Sequence, residues 1–227
     1  MMEFAAVLFD MDGVILDSMG HHAQTWREVL AGQGVDVPLS FILENEGALG
    51  VDVLWRFMAE HGQAQGLAPL DRPQALAGMT RLLDQQASLY LSRHARGVRP
   101  YPGVRRLLSG LQRAGVPAAL VTSSRRAMVE TSLPLEIRQG FAAVISSEDV
   151  ERHKPHPDPY LAAARMLNKA PQDCLVVENA PAGIAAAAAA GATCYALCTT
   201  LTPAHLAQAQ AVFADLERLA QHLGLLE

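Results

Sequence analysis

The chain opens on an apolar run, Val7-Leu8-Phe9, that rises to Asp10-Met11-Asp12 and breaks at Gly13. Such a short continuous run closed by turn residues reads as a buried strand of a parallel sheet. Five later runs share the pattern. Pro117 to Val121 ends at Thr122-Ser123-Ser124, Phe141 to Ile145 at Ser146-Ser147-Glu148-Asp149, and Cys174 to Val177 at Glu178-Asn179-Ala180-Pro181. Thr193 to Cys198 ends at Thr199-Thr200, and Ala211 to Ala214 at Asp215. Helical patterns separate them over Val104 to Ala114, Arg125 to Leu133, Pro159 to Leu167 and Ala182 to Ala190. Strands alternating with helices predict βαβ units and an α/β fold with a parallel sheet. The alanine run Ala185 to Ala190 reads as helix, since alanine has the best helix propensity. Pro181 suits its first turn and Gly191 its stop.

Residues 19 to 96 break this rhythm. They carry helical patterns at His21 to Ala31, Val51 to Glu60 and Gln74 to Arg93, with no convincing strand. A βα crossover needs only about a dozen residues, so this stretch reads as an inserted helical domain beside the strand tips. The expected division is residues 1–18 and 97–227 for the α/β core and 19–96 for the helical part. Asp17 to Gly20 and Gly97 to Pro102 are the expected hinges.

Composition narrows the partners. With 227 residues, 50% of them hydrophobic, the chain can bury a sizeable core. A net charge of -5 offers no polybasic surface, which argues against nucleic acid or an anionic membrane as partner. No apolar run is long enough to span a bilayer, and no basic leader precedes the first strand. Cys174, Cys194 and Cys198 lie among apolar residues without a CxxC pair, as expected of core residues in a reduced, cytoplasmic protein. Only two lysines, Lys154 and Lys169, stand beside sixteen arginines.

The chemistry gathers at the strand ends, where open α/β sheets bind ligands. Asp10 and Asp12 repel each other there, and holding a cation or a proton would relieve them; a turn acid followed by a helix cap is the plainer alternative. Asp10-Met11-Asp12-Gly13-Val14, Thr122-Ser123, Lys154-Pro155 and Glu178-Asn179, in that order, resemble the four motifs of the haloacid dehalogenase-like superfamily. Phe9 to Ser18, with His22 and Trp26 behind it, resembles the branch of β-phosphoglucomutases and small sugar-phosphate phosphatases. Lys154 to Tyr160 and Val177 to Gly183 point the same way.

The resemblance implies a Rossmann-like core with an inserted α-helical cap and an aspartyl-phosphate mechanism. Asp10 would be the nucleophile, and Asp12 the general acid and then base. Thr122 and Ser123 would hold phosphoryl oxygens, while Lys154 would neutralise their charge. Mg²⁺ would be held by Asp10, the Asp12 carbonyl, Glu178 and Asn179. Asn179 departs from the commoner Asp, which implies a weaker Mg²⁺ site. His22 and Ser18 are further candidates at the substrate, His22 as support for Asp12. Trp26 reads as core of the helical part, and Arg152 and His153 as solvent-facing.

Asp12 argues against dehalogenation, because family dehalogenases lack that acid. Residues 19–96 contain no lysine for the Schiff base of phosphonate cleavage. The stretch Glu44 to Gly50 carries two acids and no base, which would repel a second phosphate, and Arg56 reads as an exposed helix residue. The expected activity is therefore hydrolysis of a small phosphorylated metabolite, with a phosphosugar mutase as alternative and a catalytically weak binding protein as the second.

Overall fold

The structure is a computed structural model that describes residues 4–45 and 72–226. Strand β1 (Ala6–Phe9) is followed by helices α1 (Met19–Ala31), α2 (Leu39–Glu44) and α3 (Arg72–Arg93). The chain continues through α4 (Val104–Arg113), β2 (Ala118–Val121), α5 (Arg126–Ser132), α6 (Leu135–Arg138) and β3 (Ala143–Ile145). It ends with α7 (Asp158–Met166), β4 (Cys174–Glu178), α8 (Pro181–Ala189), β5 (Thr193–Leu197), β6 (Ala211–Phe213) and α9 (Leu216–His222). All six predicted strands form; β2, β3, β5 and β6 are shorter than their apolar runs, and β1 and β4 are one residue longer. The short helices α2, α6 and α9 had no counterpart in the pattern. The expected Val51 to Glu60 helix lies outside the described residues.

The strands form one sheet in the order β3-β2-β1-β4-β5-β6, and each neighbouring pair is parallel. Strand β1 lies between β2, where Val7 faces Ala118, and β4, where Ala6 faces Cys174. The next strand in sequence lies on one side of β1 and a later strand on the other, so a crevice opens at the β1 carboxyl end.

Both faces of the sheet are covered, which is why the strands read as unbroken apolar runs. Val7 and Phe9 enter one core with Val104, Leu107 and Leu111 of α4 and Leu216 and Leu219 of α9. Ala6 and Leu8 enter the other, with Tyr160 and Ala163 of α7 and Ala186 and Ala187 of α8. Ala186 and Ala187 have no side chain beyond Cβ and sit fully buried in that second core. The helix stops where expected: Gly191 has φ 78°, and the Ala192 N–H closes on the Ala187 carbonyl at 3.0 Å.

Between β1 and β2, the described residues form helices and no strand. Trp26, Ala23 and Leu30 of α1 make a third apolar cluster with Val35, Val37 and Ile42. The two connections to this part run side by side: the Asp17 N–H donates to the Arg99 carbonyl, and the Tyr101 N–H to that of Ile15, each at 2.9 Å. No described helix is long and apolar enough to cross a membrane.

Candidate active site

A cleft of about 310 Å³ opens at the strand ends. Asp10, Asp12, Ser123, Lys154, Glu178 and Asn179 line its sheet side, and Met19, His22, Trp26, Leu83, Gln86 and Ala87 the helical side. Asp10 follows β1 directly, its N–H bound to the Val177 carbonyl of β4 at 3.0 Å. Glu178 ends β4 itself.

Lys154 binds both acids, with Nζ 2.5 Å from Asp10 Oδ1 and 2.8 Å from Glu178 Oε1. All three are buried, at 4% exposure for Lys154, 8% for Asp10 and 1% for Glu178. Burial opposes the Lys154 charge, but the two carboxylates outweigh it and hold the amine above its usual range. Tyr160 of α7 donates to Glu178 Oε1 at 2.7 Å. The other oxygen, Oε2, accepts from the backbone N–H groups of Asn179 and Ala180 at 2.9 and 3.2 Å. Gly183 is what lets this carboxylate lie against α8, since a Cβ there would stand 1.7 Å from Glu178 Oε1.

Asp12 sits in a second knot. Its Oδ1 accepts from Ser18 Oγ at 2.6 Å and lies 3.1 Å from His22 Nε2. Its Oδ2 accepts from Ser124 Oγ at 2.8 Å and Thr122 Oγ1 at 3.4 Å. Burial alone would raise this carboxyl, but the His22 ring and the hydrogen bonds from His22, Ser18 and Ser124 hold it at about 2. Asp10 goes the other way. Burial, joined by the Glu178 and Asp12 charges, lifts it to about 8 against the pull of Lys154.

Gly13 carries the turn after the two acids at φ 87°, and a Cβ would meet Asn179 Nδ2 at 2.0 Å. Asn179 Nδ2 donates to Thr200 Oγ1 at 3.2 Å, which leaves the oxygen end of the amide for another partner. Among the described residues no three His, Cys, Asp or Glu side chains converge on a metal position. Asp10, Asp12 and Asn179 all line the cleft, and they offer the oxygen donors that a hard cation takes. The shortage of positive charge around Asp10 fits a hard cation that keeps several waters.

Every candidate site residue read from the sequence therefore reaches this cleft or the knots behind it. Thr122 lies behind, on Asp12, while Ser123 lines the opening. Trp26 both packs in the helical cluster and lines the cleft. Arg152 is exposed and pairs with Asp158 at 2.9 Å; His153 is exposed yet also lines the cleft. Glu44 requires a correction. It does not line the cleft but stands exposed, 3.8 Å from His205, because α2 turns that face toward the segment after β5. Glu46 to Gly50 and Arg56 lie outside the described residues. Sequence reasoning missed Ser124, Tyr160 and Gln86. Only Tyr160 had a visible signal, as the last residue of the Lys154 to Tyr160 string.

A family profile described as "Hydrolase: haloacid dehalogenase-like hydrolase" matches residues 4–191. Hexitol phosphatase A of Escherichia coli is 31% identical over 214 residues, covering 93% of this chain and 91% of that protein. Fructose-1-phosphate phosphatase YqaB of the same organism is 35% identical over 193 residues, covering 83% and 93%. A hydrolase from Pseudomonas syringae has the same fold, with a TM-score of 0.83 at 24% identity over 97% of this chain and 98% of that one. With the profile spanning most of its length and relatives above 30% identity aligned almost end to end, the chain belongs to the haloacid dehalogenase-like hydrolase family.

Proposed function

We propose that this chain is a Mg²⁺-dependent phosphatase that hydrolyses a small sugar phosphate or polyol phosphate through an aspartyl-phosphate on Asp10. One observation carries the reading: a buried lysine holds one oxygen of a strand-end carboxylate in a cleft that has room for a small metabolite. The names of the two bacterial relatives, which act on a hexitol phosphate and a hexose phosphate, support the substrate class.

In this mechanism Lys154 holds Asp10 Oδ1, leaving Oδ2 to attack phosphorus. The P–O bond to the leaving group breaks, and Asp12 gives that oxygen its proton. Water then attacks the phosphoryl group, Asp12 takes the water proton, and the Asp10 carboxylate and inorganic phosphate are released. The four side-chain donors around Asp12 suit this second half, in which it must be an anion that accepts. Ser123 and the Lys154 charge would steady the phosphoryl oxygens. Asp10, the Asp12 carbonyl, Asn179 and Glu178 would hold Mg²⁺, which supplies charge neutralisation at the phosphoryl oxygens when bound.

Residues 19–96 would serve as the cap, because Met19, His22, Trp26, Leu83, Gln86 and Ala87 line the cleft opposite the strand ends. Closing over the site would exclude stray water from the acyl phosphate. The free cysteines fit a reducing, cytoplasmic setting.

The test is phosphate release from hexose and hexitol phosphates with and without Mg²⁺. Turnover should require the cation and fall by more than about 10⁴-fold in Asp10→Asn. Conversion of β-glucose 1-phosphate to glucose 6-phosphate without net release would replace hydrolysis by mutase chemistry.

A further inference from the structure

Behind Asp12, on the helical side of the cleft, runs a buried chain of polar groups that no motif announces. Its far end is Thr25 of α1, whose hydroxyl lies 3.0 Å from the His21 carbonyl and 2.9 Å from that of His22. Carbonyls only accept, so the Thr25 hydrogen is committed to them and its oxygen is left to accept. Gln86 of α3 places an amide atom 3.0 Å from that oxygen. That atom must be the NH₂ nitrogen, which settles an amide orientation that geometry alone leaves ambiguous. The same nitrogen lies 3.2 Å from His22 Nδ1. A donor facing Nδ1 demands a lone pair there, so the ring proton of the neutral imidazole sits on Nε2. Nε2 is the atom 3.1 Å from Asp12 Oδ1.

The surroundings hold this order in place. Thr25 is fully buried, His22 is 4% exposed and Gln86 5%, so bulk water does not compete for these groups. The Tyr90 ring stacks on the imidazole at 4.0 Å between centroids and 11° between planes, which fixes the ring's tilt.

We propose that Gln86 is a positioning residue that selects the Nε2–H form of the neutral His22 ring, so that Asp12 meets a ring N–H donor at Oδ1. The geometry stands without the phosphatase reading, and the kinetic consequence rests on it. Gln86 touches neither Asp12 nor the cleft's reacting atoms. It acts through the imidazole, as the outer partner of a ligand histidine fixes which nitrogen faces the metal. Because Gln86 comes from α3 and His22 from α1, the packing of two helices decides which proton Asp12 sees.

The experiment is a long-range proton–nitrogen-15 correlation of His22 at mildly alkaline pH, assigned by its loss in His22→Asn. The wild type should show a pyridine-type Nδ1 and a pyrrole-type Nε2. In Gln86→Leu, which donates nothing, the two tautomers should mix. In Gln86→Glu, nearly the same shape, the carboxylate should draw the proton to Nδ1. In both variants kcat should fall about tenfold or more with KM held within about twofold. A proton on Nδ1 in the wild type, or an unchanged tautomer in both variants, overturns the proposal. A changed tautomer with unchanged kcat overturns the positioning role. Full turnover in Asp10→Asn would sink the phosphatase mechanism instead, and the spectrum would still decide the tautomer.

Discussion

The two halves of the cleft floor use the same residue type to opposite ends. On the Asp10 side, two buried carboxylates share one ammonium, and burial with like charge lifts Asp10 to about 8. On the Asp12 side, a single carboxylate gathers four side-chain donors and is held at about 2. The acids stand two positions apart on one turn, so sequence distance does not separate them; the elements that surround each one do. Paired titratable groups driven apart by their surroundings mark a division of labour. The Asp10 half lacks positive charge, as a site built to receive a cation does. The Asp12 half is already complete in protein donors.

The comparison breaks most sharply at Lys154. In Lys154→Met, Asp10 and Glu178 are buried without a counter-charge, and urea unfolding should show a loss of about 3–5 kcal/mol. A stability equal to wild type would mean that the ammonium does not hold the pair. Gly183→Ala should cost less, about 1–3 kcal/mol, since its Cβ would drive Glu178 Oε1 off Lys154 and Tyr160 from a distance of 1.7 Å. Its phosphatase rate should fall with it, and an unaltered rate would show that Glu178 need not stay where it lies.

The pH dependence of stability separates the two halves directly. The folded chain keeps the Asp10 proton above the ordinary carboxyl value, so without divalent cation stability should fall as pH rises from 3.8 to about 8. Asp12 works in reverse. Its contribution is full above 3.8 and is lost as pH falls toward about 2. Urea titrations of Asp10→Asn should lack the first slope and those of Asp12→Asn the second, while Mg²⁺ should flatten the first alone. The smallest effect belongs to Asn179→Asp, which adds an anionic oxygen to the proposed cation site. Mg²⁺ should bind roughly tenfold tighter in calorimetry, and no gain would remove Asn179 from the ligand set.

The sheet could be read from the chain because its central strands β1, β2 and β4 are buried on both faces and close on polar residues. Asp10, Lys154 and Glu178 could be read because they sit at those closures. Gln86 could not: it lies 64 residues from His22 in a weakly amphipathic helix, and only packing brings them together. Ser124 was hidden by its neighbours, because Thr122-Ser123-Ser124 offers three hydroxyls and no spacing rule says that the first and third meet Asp12. Glu44 misled for a related reason. Its charge was visible, but the direction in which α2 presents it depends on contacts with the segment after β5.

The paired connections at Leu16 and Pro100 carry one more consequence. These residues bridge as antiparallel neighbours, so the helices hang from a narrow two-stranded ribbon rather than from two separate tethers. A ribbon flexes easily across its width and resists shear along its length. Displacement of the helices would therefore resemble a door swinging on its jamb, carrying His22 and Gln86 together while Lys154 and Glu178 stay with the frame.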